Sequence, residues 1–174
     1  MPNGTLNHFI KLSMNDSILI LYGTVTGNAE ICANRAAKRL NAEGFNTVVR
    51  DIFDVQAHQL QNEKVPLICI STYGEGDPPD SAVPLWETLV RDGQFDLSHL
   101  RFSVFALGDL GYKKFCQCGR EFDAALTRQG ARQLAPRADS DVEYEKPCVA
   151  WVESVVAGMK SRFTHSMATL NATL

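Results

Sequence analysis

At 174 residues, with 45% hydrophobic and 21% charged side chains, the chain suits one domain whose core needs neither disulfides nor a metal to fold. A net charge of −3 lacks the clustered positive charge of nucleic-acid binding, and no run of about eighteen apolar residues suggests a membrane span. Five cysteines (Cys32, Cys69, Cys116, Cys118 and Cys148), an odd number without a secretory signal, point to a reducing compartment and so to the cytoplasm.

Residues 1–16 read as an N-terminal tail, with Met14 as an alternative start. Residues 17–162 read as the folded domain, and the Ser/Thr/Asn-rich residues 163–174 as a C-terminal tail. Inside the domain, residues 18–22 form a continuous apolar run, the pattern of a strand buried on both faces. Residues 29–43 follow as a helix. Its stripe is Ala29, Cys32, Ala33, Ala36, Ala37 and Leu40, and Gly44 closes it. Residues 47–52 are a second strand and residues 66–71 a third. Leu85, Trp86, Leu89 and Val90 then give a helical stripe, with Asp80 or Ser81 as cap and Pro84 in the first turn. Residues 102–107 are a fourth strand. Phe115, Phe122, Ala125 and Leu126 mark a helix ending near Gly130, residues 132–134 are a short fifth strand, and Val149, Val152, Val155, Val156 and Met159 stripe the last helix. Strands alternating with helices predict an α/β fold, a doubly wound three-layer sandwich around a parallel sheet. Ligands of such sheets sit beyond the C-terminal strand ends, so the loops after strands one, three and four are the ones to inspect.

The first of these loops is Gly23-Thr24-Val25-Thr26-Gly27-Asn28-Ala29, running into a helix. Its glycines, hydroxyls and free helical N–H groups can hold a phosphate by dipoles alone, since no Lys or Arg lies in it. It has neither the P-loop ending nor the dinucleotide spacing. A hydroxyl-rich turn that only caps a helix explains the same residues equally well. The second loop, Ser71-Thr72-Tyr73-Gly74 onward, and the third, Leu107-Gly108-Asp109-Leu110-Gly111-Tyr112 onward to Phe115 and Cys116, each carry a tyrosine among glycines. Two such loops at neighbouring strand ends can sandwich a flat heterocycle. Either tyrosine alone is better explained by packing on its own loop. With the phosphate loop beside them, the three describe a mononucleotide site. The four histidines are scattered and receive no role. The pair Cys116 and Cys118 lacks the further ligands of a zinc site.

The segments 22–29, 71–79 and 106–116 resemble flavodoxins, and more narrowly the FMN domain of diflavin reductases. Residues 115–123 and 139–144 are most similar to the sulfite reductase flavoprotein alpha subunit. The resemblance spans about residues 17–162 and implies a flavodoxin-like five-stranded parallel sheet in order 2-1-3-4-5. It implies FMN as cofactor, with Thr24, Val25, Thr26, Gly27, Asn28 and Ala29 on the phosphate. Ser71, Thr72, Tyr73 and Gly74, with Leu107, Gly108, Asp109, Leu110, Gly111, Tyr112, Phe115 and Cys116, would surround the isoalloxazine. Tyr112 would be the stacking face and Tyr73 the opposing aromatic or edge contact. If the Tyr73–Gly74 carbonyl turns toward flavin N5, it can accept the N–H there, a geometry that glycine at 74 permits. Val25, Leu110-Gly111 and Lys113-Lys114 depart from the family pattern. No NADPH- or FAD-binding module of a full reductase occurs in the 174 residues.

The function implied is a one-electron carrier, monomeric when free. The donor would be an FAD/NADPH-type or ferredoxin-type reductase, and the acceptor a haem or iron–sulfur protein such as a sulfite reductase haemoprotein. The alternative is a self-sufficient flavin-dependent NAD(P)H:quinone-type oxidoreductase, for which the sequence carries no nicotinamide signal. A phosphoacceptor receiver on a similar fold is disfavoured, because the first loop attracts anions and lacks an acidic pair.

Overall fold

The computed structural model describes the backbone of residues 16–171 and the side chains of residues 16–162; the expected tail residues 1–15 lie outside the described residues. Strand β1 (Ser17–Gly23) leads into helix α1 (Asn28–Ala42) and strand β2 (Asn46–Asp51). A 3-10 turn, Ile52–Asp54, and the short helix α2 (Ala57–Leu60) return the chain to β3 (Pro66–Ser71). Helix α3 (Val83–Trp86) widens into a π turn, Glu87–Arg91, closed by Asp92 N–H donating to Glu87 O at 3.0 Å. Then come β4 (Arg101–Leu107), α4 (Gln117–Arg128), β5 (Arg132–Gln133), β6 (Ala138–Ser140) and α5 (Glu145–Asn171).

The strands run parallel in the order β2-β1-β3-β4-β5, with β6 also beside β4. Alternate residues of each central strand serve opposite faces. Ile18 and Ile20, Leu67 and Cys69, and Phe105 and Leu107 pack under α1 and α5. Leu19 and Leu21, Ile68 and Ile70, and Phe102 and Val104 pack under the α3 and α4 layer. Both faces being covered is why these strands read as unbroken apolar runs.

Two details differ from the sequence reading. The fifth lane of the sheet is split. β5 pairs with the start of β4 (Arg101↔Arg132) and β6 with its end (Phe105↔Ala138 to Leu107↔Ser140). The interruption carries Pro136, which has no N–H for the ladder. β6 is Ala-Asp-Ser, without a β-former, so propensity hides it. The backbone of α5 also stays helical past residue 162 to Asn171. No glycine or proline occurs between Met159 and Asn171 to stop it. Among the described residues, no helix is long and apolar enough to cross a membrane.

The end of α1 shows the local rules that place these elements. Gly44 adopts φ 88°, letting its N–H reach Asn41 O at 3.0 Å and Phe45 N–H reach Leu40 O at 3.1 Å. Both bonds satisfy carbonyls the helix leaves open. The chain therefore turns sharply into β2, and the N-terminus of α1 stays at the opposite end, beyond the C-terminal edge of the sheet.

Candidate functional site

A cavity of about 540 Å³ opens beyond the C-terminal ends of β1, β3 and β4, within the range of small-molecule sites. The order β2-β1-β3 makes this the point where the strand order reverses, the place where α/β folds bind ligands.

The loop after β1 forms one end. Gly27 sits at φ 90° as the residue before α1, and a Cβ there would meet nothing within 4 Å. Glycine is required by the backbone angle, not by space. Its N–H donates to Thr24 Oγ1 at 2.9 Å, which holds the loop closed. The first helical bond runs from Ile31 N–H to Gly27 O at 3.1 Å. The N–H groups of Asn28, Ala29 and Glu30 are thus left without a backbone acceptor at the positive end of a 15-residue helix. Val25, Thr26 and Asn28 line the cavity. Thr24 and Gly27 do not; they shape the loop. Ala29 has its methyl fully buried in the core, so only its N–H can face a ligand.

The loop after β3 is a tight turn. Tyr73 and Asp77 exchange backbone hydrogen bonds at 2.8 Å in both directions, with Gly74 at φ 48° and Gly76 at φ 109°. Thr72 ties it down twice. Its N–H donates to Leu107 O at 3.0 Å, and its Oγ1 accepts from Cys118 N–H at 3.2 Å. Ser71, Thr72, Tyr73 and Gly74 all line the cavity.

The loop after β4 is braced from within and from β6. Asp109 Oδ1 accepts from Gly111 N–H at 2.7 Å, and Asp141 Oδ1 accepts from Leu110 N–H at 2.9 Å. Gly108 N–H donates to Ser140 O at 2.9 Å. A Cβ on Gly108 would stand 2.8 Å from Cys116 N, so the loop closes only because residue 108 has no side chain. Cys116 adopts φ 54° and points its thiol at Ala106 O and Ser140 O, at 3.4 and 3.6 Å. Burial, with Asp139 nearby, pushes that thiol up to about 12, so it stays protonated and is no nucleophile. Leu107, Gly108, Asp109, Tyr112, Phe115 and Cys116 reach the cavity wall, whereas Leu110 and Gly111 do not.

Tyr73 and Tyr112 are 57% and 53% exposed. Two large aromatic faces left in water beside one cavity are surfaces that a flat ligand would cover.

Four wall residues were missed by the sequence reading: Lys114, Asp141, Val142 and Tyr144. Three of them follow β6. With that strand unread, its loop was not counted among those at the sheet's C-terminal edge, although the same edge rule applies to it.

This is the architecture of an α/β protein built to hold a phosphorylated planar group at the sheet's switch point. The flavodoxin family model matches residues 20–151, and the chain belongs to the flavodoxin family. It is 41% identical over 147 residues to the Bacillus subtilis sulfite reductase [NADPH] flavoprotein alpha-component, covering 84% of this chain and 24% of that protein. It is 36% identical over 159 residues to the alpha-component of Shewanella sp. strain MR-7, covering 90% of this chain and 26% of that one. The chain thus spans about a quarter of the length of these curated relatives. Two solved structures share the fold. A pneumococcal flavodoxin has a TM-score of 0.72 at 24% identity, over 81% of this chain and 98% of that one. A short-chain flavodoxin associated with a PDU bacterial microcompartment has a TM-score of 0.74 at 23% identity, over 84% and 99%.

FMN is the cofactor of this family. The residues present fit it: free N–H groups without cationic side chains at one end of the cavity, and exposed tyrosines at the other.

Proposed function

We propose that this chain is an FMN-dependent one-electron carrier that receives electrons from an FAD/NADPH-type reductase and delivers them to a haem or iron–sulfur acceptor of the sulfite reductase type. The observation that carries the reading is the convergence, on one cavity, of an amide nest at the start of α1 with Tyr73 and Tyr112. The names of its relatives, sulfite reductase flavoprotein alpha-components, supply the choice of acceptor class.

Bound FMN supplies reversible one-electron chemistry at its isoalloxazine. The chain's own residues bind and tune. The N–H groups of residues 25, 26 and 28–30 hold the phosphate through dipoles, with Thr26 and Asn28 adding polar side chains. Thr24 keeps that loop closed through Gly27 N–H. Tyr112 and Tyr73 cover the ring from the loops after β4 and β3. The Tyr73–Gly74 carbonyl accepts from Gly76 N–H at 3.1 Å and Asp77 N–H at 2.8 Å, so it meets a ring N–H only when that peptide flips, a change that glycine at 74, φ 48°, eases. The buried Cys116 thiol and Leu107 give that end of the cavity an apolar floor. The exposed Val25, Leu110 and Val142 surround the opening with apolar surface, where a partner's redox centre can come close in a small, transient contact.

The test is direct. The purified chain, offered FMN, is expected to turn yellow and quench the fluorescence of the free cofactor with one-to-one stoichiometry. It should then accept electrons singly in a redox titration. A folded chain that leaves FMN fluorescence unchanged ends the proposal. Steady-state NADPH oxidation by the chain alone would instead favour a self-sufficient oxidoreductase.

A further inference from the structure

Lys114 is the one cation among the described residues lining the cavity. Its stem runs over the β3 turn: a Cβ built on Gly76 would lie 2.7 Å from Lys114 Cδ and 3.0 Å from its Cβ. Gly76, a glycine at φ 109°, leaves the room in which that stem lies, beside the turn that carries the Tyr73–Gly74 peptide. The two carboxylates on the wall are engaged elsewhere. Asp109 bonds Gly111 N–H and Asp141 bonds Leu110 N–H. No hydrogen bond or ion pair joins the Lys114 ammonium to any described residue. The tyrosine end of the cavity, away from the α1 nest that would take the phosphate, thus has one cationic residue, Lys114, among the carboxylates of Asp109 and Asp141, which keep their negative charge when they accept an N–H.

We infer that Lys114 is a potential-setting residue: its ammonium stabilises the negative charge that the flavin ring gains with its second electron, and so raises the second one-electron potential. This rests on the FMN-carrier reading above. The balance is simple. The second electron comes from the donor reductase, and where no proton follows it the ring gains one unit of negative charge. A nearby cation lowers the energy of that charge, and a carboxylate raises it. Glu75, Asp77 and Asp80 on the adjoining turn are exposed acids that oppose the step; Lys114 offsets them. Lys113, its neighbour in sequence, is equally exposed but is not part of the cavity wall.

The experiment is a redox titration of the FMN-loaded chain and of Lys114→Met, Lys114→Arg and Lys113→Met. Methionine keeps an unbranched stem over Gly76 and removes only the charge. In Lys114→Met the equilibrium constant for taking the second electron should fall on the order of tenfold, between the bulk-water and protein-surface limits for a unit charge at contact distance. Tenfold is about 59 mV for a one-electron couple. Lys114→Arg should restore the wild-type potential, and Lys113→Met, which changes net charge equally, should move it much less. FMN affinity is followed by fluorescence quenching, and Lys113→Met, outside the cavity wall, should leave it unchanged. The inference is overturned if Lys114→Met leaves the second potential in place or shifts it no more than Lys113→Met. It is also overturned if Lys114→Met releases FMN, since the lysine would then be a cofactor anchor. A wild-type chain that binds no FMN would remove the carrier reading itself, an outcome distinct from a yellow protein whose potential ignores Lys114.

Discussion

Leu110 N–H donates to Asp141 Oδ1 at 2.9 Å across 31 positions of sequence, so the loop that carries Tyr112 is held by the loop that follows β6. Asp141→Ala should free residues 109–112 and weaken FMN binding three- to tenfold, the size of one solvent-exposed hydrogen bond of about 1 kcal/mol. Global stability should hardly change, because the loop is exposed. Asp141→Asn keeps Oδ1 as acceptor and should bind almost as the wild type does. Fluorescence titration of the three chains decides; equal affinity for Ala and wild type would sink the assignment.

Gly27 has room for a methyl group but not the backbone angle for one. At φ 90°, alanine costs about 1–2 kcal/mol, with no clash to add. Gly27→Ala should lower the free energy of unfolding by that amount, read from the shift of the denaturant midpoint at constant slope. It should also weaken FMN severalfold while leaving riboflavin, which has no phosphate, nearly untouched. Parallel titrations with the two flavins separate a phosphate-loop defect from a general loss of fold.

Gly119 shows the opposite limit. A Cβ there would stand 2.3 Å from Ala106 Cβ and 3.2 Å from its Cα, because α4 lies hard against β4. Gly119→Ala should destabilise the domain by about 3 kcal/mol, the upper end of overpacking costs. Adding Ala106→Gly should recover part of the loss, since it removes the opposing methyl. Urea unfolding of single and double variants measures both; strictly additive effects would show that the contact is not the cause.

Acid should unfold the protein partly through Glu43. Lys160, at 2.6 Å, and Arg39 hold its carboxyl below the ordinary 4.5. A group depressed in the fold adds stability that is complete above its unfolded value and is lost as pH falls through its folded one. Glu43→Gln should therefore flatten the decline of the unfolding midpoint below about pH 4.5. It should not abolish that decline, because Asp92 and Asp96 are depressed as well, by Arg91 and Ser98. Added salt should shrink the Glu43 contribution, the pair being near the surface.

The sheet and the position of the cavity were legible in the chain because local physics dictates both. Residues 18–22, 66–71 and 102–107 are apolar without interruption, and only strands covered on two faces tolerate that. Glycines at 23, 27, 74 and 108 mark where those strands turn, and a parallel sheet places such turns on one edge. What the sequence could not disclose depends on neighbours far along the chain. β6 is three residues without propensity, held in place by β4 and followed by Asp141, whose use is visible only once Leu110 lies opposite. Lys114 reads as a surface charge until the fold lays its stem beside Gly76 and puts the residue on the cavity wall. Periodicity encodes which side of an element is buried; which charges meet across loops is settled by tertiary closure, since the partners share no local pattern.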